Sequence, residues 1–252
     1  MKLNYFELLS PNPVKLQNIG GIISPKLCDI SSIGYDTYQF YLTILLMDFK
    51  TYLTMTGQSN LYDMFSEEEK SQINIFDLLI ANEQSRSMLQ DILNFFISEE
   101  VTYSHERNCF VVQDSGTHIG TITKEIYPQL CDLICQRNYI KSNLKEDLSQ
   151  IKSKKALEIM KKLQKGRSEK EKQTKADKNM ELGNIISAVA NKSQSLNIIN
   201  IWDLTVFQLW DCFSRLSNNS IYNIQSMSVA AWGNKDNYFD AASWFKRIDN
   251  NN

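Results

Sequence analysis

Two histidines and three cysteines have the residue types and spacing that come nearest to a metal site. His105 and Cys109 are four residues apart, His118 follows, and Cys131 and Cys135 are separated by one helical turn. A tetrahedral zinc site needs four such imidazole or thiolate ligands. The spacing matches no established zinc motif, and cysteine is among the most buried residue types. We therefore expect buried thiols, with a metal site as the alternative, and no metal or organic cofactor.

The common catalytic motifs are absent from the sequence. It contains no G-x-S-x-G, no H-E-x-x-H, no Walker P-loop and no G-x-G-x-x-G. The acidic run Glu67–Glu69 lies where a helix is predicted to start, and carboxylates there complement the helix dipole without implying acid–base chemistry. We therefore expect that the protein is not an enzyme.

The composition is typical of a folded protein that is mostly helical. Hydrophobic residues make up 42% of the 252 residues, and glycine and proline are scarce, with 9 and 4 residues. This favours an α+β protein, mostly α, over an all-β sandwich. Alternating apolar residues and the turn sequence at 114–116 predict a small antiparallel β meander near residues 100–122.

Helix signals occur on both sides of the meander. Ser66 and Glu69 form a capping box, Gly34 is expected to divide two helices, and Pro128 suits a first helical turn. One helix is predicted from Phe76 to Ile97. Residues 5–23, which contain two prolines and a Gly-Gly pair, are expected to form a loop and an edge strand.

Charge is distributed unevenly and divides the chain into three predicted parts. Residues 141–178 carry 13 basic and 6 acidic residues, a charge of +7, although the whole chain has a net charge of −2. We therefore predict an N-terminal helical unit with the meander (1–138), a charged connector (139–179) and a C-terminal helical unit (180–252). The connector has few arginines and aromatic residues, which argues against nucleic-acid binding.

No apolar run reaches the length of a membrane span, and the first residues lack the apolar core of a signal peptide. The predicted compartment is therefore the cytoplasm, and no membrane partner is expected. The sequence leaves the oligomeric state open.

The C-terminal part has the strongest apolar pattern. Its a/d-like seam predicts an amphipathic helix that ends at Asn218-Asn219. Phe207 and Trp210 fall about 100° from this seam, which makes them candidates for an exposed partner-binding patch, unless a wider apolar face buries both. Trp232, Trp244 and Phe245 extend the set of candidate partner-binding residues. The seam consists of Trp202, Val206, Leu209, Phe213 and Leu216.

Several loose patterns resemble proteins encoded in the tail modules of phages and prophages of Gram-positive bacteria. They are Ile22–Leu27 (IISPKL), Ile33–Tyr35 (IGY), Ile201–Asp211 (IWDLTVFQLWD), Trp232–Gly233 and Trp244–Phe245. The chain is most similar to the tail assembly chaperones of long-tailed phages. These patterns consist of apolar and aromatic residues, and none is a chemical signature.

The resemblance implies a non-enzymatic helical protein in the cytoplasm of the bacterial host. Its partner would be a phage tail protein, either the long helical tape measure protein or a tail tube subunit. The alternative is a structural subunit of the tail or its connector. A weaker alternative is a nucleic-acid-binding regulator that uses the basic segment.

Overall fold

Helices and two small antiparallel sheets make up the computed structural model, which describes residues 1–140, 178–234 and 239–247. The α+β, mostly α fold is confirmed. The described residues fall into two units, one formed by 1–140 with 203–207 and the other by 178–202, 208–234 and 239–247. Nearly all of the predicted charged connector (139–179) lies outside the described residues. The three-part organisation stays a prediction.

The first unit contains eight helices in its described part. Gly34, with φ +87°, separates α2 from α3 as predicted, because a positive φ is unfavourable for residues with a Cβ. Ser66 and Glu69 form the predicted capping box at the start of α5. The helices are α1 (Tyr5–Leu9), α2 (Leu27–Ile33), α3 (Tyr35–Leu45), α4 (Phe49–Met55), α5 (Glu67–Gln72), α6 (Ile75–Ala81), α7 (Glu83–Phe96) and α8 (Tyr127–Arg137), with a 3₁₀ helix at Ser59–Met64.

The predicted single helix from Phe76 to Ile97 is wrong: this stretch forms α6 and α7. The helix is interrupted at Asn82. The Asn82 side chain accepts hydrogen bonds from the backbone N–H groups of Gln84 and Ser85 and so caps α7. The predicted apolar face of α7 is buried all the same. Its four fully buried residues are Leu89, Ile92, Leu93 and Phe96.

The β meander is confirmed at residues 100–122. The strands pair in the order β3 (Glu100–Ser104), β4 (Cys109–Asp114) and β5 (Thr117–Ile122), all antiparallel. A register shift after Val112 leaves Ile119 unpaired on β5. Ser115 and Gly116 both have positive φ, as the tight turn between β4 and β5 requires.

Side chains from α7 protect the edge of the meander at β3. The Asn94 amide donates to the Val101 carbonyl and accepts from the Val101 N–H, both at 2.8 Å. Gln90 accepts from the N–H of Tyr103 at 2.9 Å. Unpaired backbone groups at a sheet edge invite pairing with another chain, so these amides block that pairing along β3.

The N-terminal residues are more ordered than the sequence predicted. Instead of a loop, they form α1, capped reciprocally by Asn4 and Glu7, and a hairpin of β1 (Val14–Leu16) and β2 (Gly20–Ile22). The β2 strand is extended by a bridge from Ile22 to Ile97. The sequence prediction of an edge strand is confirmed, and the prediction of a loop before it is wrong.

A buried arginine fixes the N-terminal segment to the end of α8. The Arg137 residue is fully buried, and its guanidinium donates to the carbonyls of Glu7 (2.6 Å), Ser10 (3.1 Å) and Asn12 (3.0 Å). Burial lowers the pKa of Arg137, because the charged form loses hydration. The three carbonyls replace part of that hydration, so the arginine and the segment depend on each other for hydrogen bonding.

The second unit is helical in its described part. Here α9 (Leu182–Lys192) buries the predicted face of Leu182, Ile185, Ile186 and Val189. The helix α10 (Val206–Trp232) has 27 residues and begins in the part of the chain that belongs to the first unit. It does not end at Asn218-Asn219, so that prediction is wrong. Short 3₁₀ helices lie at Lys178–Met180, Ile201–Asp203 and Ser243–Phe245.

Candidate partner-binding surface

The second half of α10 carries an unusually long uncharged surface. No charged residue occurs in the sequence between Arg215 and Lys235. Exposed helices of soluble proteins ordinarily place charged residues on their outer face. An uncharged and exposed helical segment therefore has the composition of a protein-binding surface.

Apolar residues of α10 become more exposed along the helix. Leu209 is fully buried, Phe213 is half-buried, and Ile221, Ile224 and Met227 are 55%, 65% and 65% exposed. Because residues three and four apart share a helix face, Ile221, Ile224 and Met227 lie together, with Ala231 one turn further on. We call Ile221, Ile224, Met227 and Ala231 the open stripe.

The opposite face of α10 is covered by the C-terminal segment of the same unit. At 100° per residue, the contacting positions on α10 lie roughly 120–180° from Ile224, at the centre of the open stripe. The contacts are the Tyr222 and Phe239 rings with centroids 5.4 Å apart, a hydrogen bond from Asn218 to the Ser243 carbonyl at 3.0 Å, and one from Arg215 to the Lys246 carbonyl at 2.8 Å.

Three of the predicted partner-binding aromatic residues are exposed. Trp232 is 79% exposed, Trp244 53% and Phe245 60%. The rings of Trp244 and Phe245 meet edge to face, with centroids 5.1 Å apart. The two rings lie in a turn whose ends are joined by an ion pair between Asp240 and Lys246. Trp244 and Phe245 therefore present a large aromatic surface on a segment that the ion pair holds in place.

The prediction that Phe207 is exposed is wrong. Phe207 is buried, and its ring contacts the edge of the Tyr139 ring at a centroid distance of 5.3 Å. Contacts distant in sequence hold the start of α10 against the segment before α2, since Leu27 donates to the Leu204 carbonyl and Val206 donates to the Pro25 carbonyl. The burial of Phe207 is the outcome that the alternative interpretation expected.

Trp210 has an intermediate position. It is half-buried, and its ring lies edge-on to Phe213 with centroids 6.0 Å apart. Phe207 and Trp210 therefore do not form one exposed patch. The exposed aromatic surface begins nearer the C-terminus, at Trp232, Trp244 and Phe245.

The potential metal ligands are not brought together. Cys131 and Cys135 are buried in α8, and burial raises the pKa of both thiols, that of Cys135 to about 12. Thiols with raised pKa values are poor sources of the thiolate that binds zinc. His105 packs on the Tyr103 ring instead. In the part of the chain that the structure describes, no three His, Cys, Asp or Glu residues are placed to hold a metal ion.

The open stripe was missed because α10 was expected to end at Asn218-Asn219. Ile224 and Met227 continue the three- and four-residue spacing of Leu209, Phe213 and Leu216 if Ser220 is allowed within it, and Ile221 lies three residues before Ile224. The lack of charge after Arg215 is the signal in the sequence that could have found it. Among the described residues, no helix is long and apolar enough to cross a membrane.

A family model is similar to the part of the chain that carries these surfaces. Residues 170–249 match the family model described as YomV second domain. This domain family is associated with phages and prophages. The C-terminal part is similar to a phage domain. No curated protein and no solved structure matches the chain.

Proposed function

We propose that this protein is a non-enzymatic phage or prophage tail assembly chaperone that binds a helical client such as the tape measure protein. The observation that carries the proposal is the exposure of three large aromatic residues, Trp232, Trp244 and Phe245, within the region that matches the phage domain family. The protein acts in the cytoplasm of the bacterial host, where tail proteins are made before assembly.

The physical basis is the match between the surface and the client. A long helical protein that awaits assembly exposes apolar stripes, which aggregate unless another apolar surface covers them. Tryptophan and phenylalanine cover a large area at a low cost in conformational entropy, and they are frequent binding hot spots. Trp244 and Phe245 are suited to this because their rings already pack against each other.

The abundance of the protein in finished particles tests the proposal against a structural role in the tail. A chaperone leaves its client during assembly, whereas a structural subunit is retained. We expect quantitative mass spectrometry to find the protein in lysates of cells that produce the phage, but at far less than one copy per purified virion. A stoichiometric amount in virions would instead identify a structural subunit of the tail or connector.

A further inference from the structure

We infer that the open stripe of α10 binds the same stripe of a second copy of this chain, so that the protein forms an antiparallel helix-to-helix homodimer. The open stripe does not include the exposed aromatic residues assigned to the client, although Trp232 directly follows Ala231 on α10. The inference does not rest on the proposed function. It is carried by the exposure, the lack of charge and the residue order of the stripe.

Among the residues that the structure describes, the face of α10 that carries the stripe is exposed. The C-terminal segment occupies the opposite face through Tyr222, Asn218 and Arg215. Ile224 and Met227 are each 65% exposed on the face that carries the stripe. Large apolar residues at three-residue spacing on an exposed helix indicate a helix-binding surface.

The order of residues along the stripe is nearly symmetric about Ile224. If two copies of α10 cross antiparallel at Ile224, then Ile221 of one copy faces Met227 of the other. One serine lies on each side of this apolar centre, and one further small residue lies outside each serine. The flanking pairs brought opposite each other are Ser220 with Ser228 and Ser217 with Ala231.

This arrangement is self-complementary in the sense that a two-fold interface requires, because each residue meets a residue of matching size. Large residues fill the centre, and small ones let the helices approach at both ends. The sequence has no charged residue between Arg215 and Lys235. Two copies of this surface can therefore associate without like-charge repulsion and without desolvating a charged side chain.

The size of the surface is sufficient for a weak dimer. Large side chains bury on the order of 200 Å² each, so Ile221, Ile224 and Met227 at their observed exposures offer roughly 350–400 Å² per copy. The flanking small residues raise the total over both copies to about 1,000 Å², the lower end of specific interfaces. Interfaces at that end of the range are mostly weak and transient, so we expect a dissociation constant on the order of 10 µM.

Sedimentation velocity of the full chain over a range of concentrations tests the inference. The wild-type protein should shift from 29.2 kDa towards twice that mass as its concentration rises through about 10 µM. Ile224→Lys and Ile224→Glu should each weaken association at least about 100-fold, because like charges would then face each other at the two-fold axis. An equimolar mixture of these two variants should associate again, since the opposite charges then pair.

Asn219→Lys is the matched control. It adds the same charge as Ile224→Lys at an exposed position of the same helix, about 140° from Ile224 at the centre of the stripe, and should associate like the wild type. Circular dichroism should show every variant folded, because Ile224 is mostly exposed. A wild-type protein that stays monomeric at about 200 µM, or an Ile224→Lys variant that associates like the wild type, would overturn the inference.

Discussion

Replacing Arg137 by alanine is expected to lower the free energy of unfolding by about 3–5 kcal/mol. The substitution leaves the buried carbonyls of Glu7, Ser10 and Asn12 without their donor and opens a cavity at the end of α8. We expect the N-terminal segment to detach before global unfolding, and to lose its protection against hydrogen exchange. Denaturant-induced unfolding, with hydrogen exchange of residues 1–13, measures both effects.

Two variants separate this effect from a change of charge. Arg107→Ala removes the same residue type from an exposed position and should change stability by less than about 0.5 kcal/mol. Arg137→Lys keeps the charge but not the planar guanidinium that reaches three carbonyls. Its loss in free energy of unfolding should therefore lie between those of Arg107→Ala and Arg137→Ala. If Arg137→Ala costs less than about 1 kcal/mol and residues 1–13 stay protected, the arginine does not fix this segment.

Replacing Trp244 or Phe245 by alanine is expected to weaken client binding by about 2 kcal/mol each, which is roughly a 30-fold loss of affinity. Both side chains are mostly exposed in the unbound chain, so the melting temperature should change little. Titration calorimetry with helical segments of the tape measure protein of the same phage measures the affinity. The double variant should bind the client most weakly. Its loss of binding free energy should be smaller than the sum of the two single losses, because the two rings are in contact.

Phe6→Ala is the control for these substitutions. Phe6 is 82% exposed in α1 of the first unit, so its removal takes away a similar aromatic surface at a different place. Its affinity for the client should equal that of the wild type. An equal loss of affinity in Phe6→Ala and Trp244→Ala would mean that the client binds through unspecific apolar contact, and the assignment of the surface would be wrong.

In the first unit, the sequence correctly predicted those features that depend only on neighbouring residues. The capping box at Ser66, the break at Gly34 and the turn at Ser115-Gly116 each depend on residues within one turn of chain. Asn82 shows the limit of such reasoning. Asparagine can be an interior helix residue or a cap, and only the surrounding structure decides that it caps α7.

The candidate surface was less predictable because distant contacts decide it. Asn218 looked like a helix stop, yet it donates to the Ser243 carbonyl, and the intrinsic cost of asparagine in a helix, about 0.7 kcal/mol, is small beside such packing. Phe207 looked exposed from its angle on the helix, but it is buried and its ring packs on Tyr139. Neither contact partner is near in sequence.

The most direct test of the proposed function is the solubility of the tape measure protein when it is co-expressed with this chain. We expect the wild-type chain to keep most of the tape measure protein in the soluble fraction, in a complex with it. The triple substitution of Trp232, Trp244 and Phe245 by alanine should leave the client insoluble, although the variant itself stays folded. If the tape measure protein is equally insoluble with the wild-type chain and without it, the proposed chaperone function is contradicted.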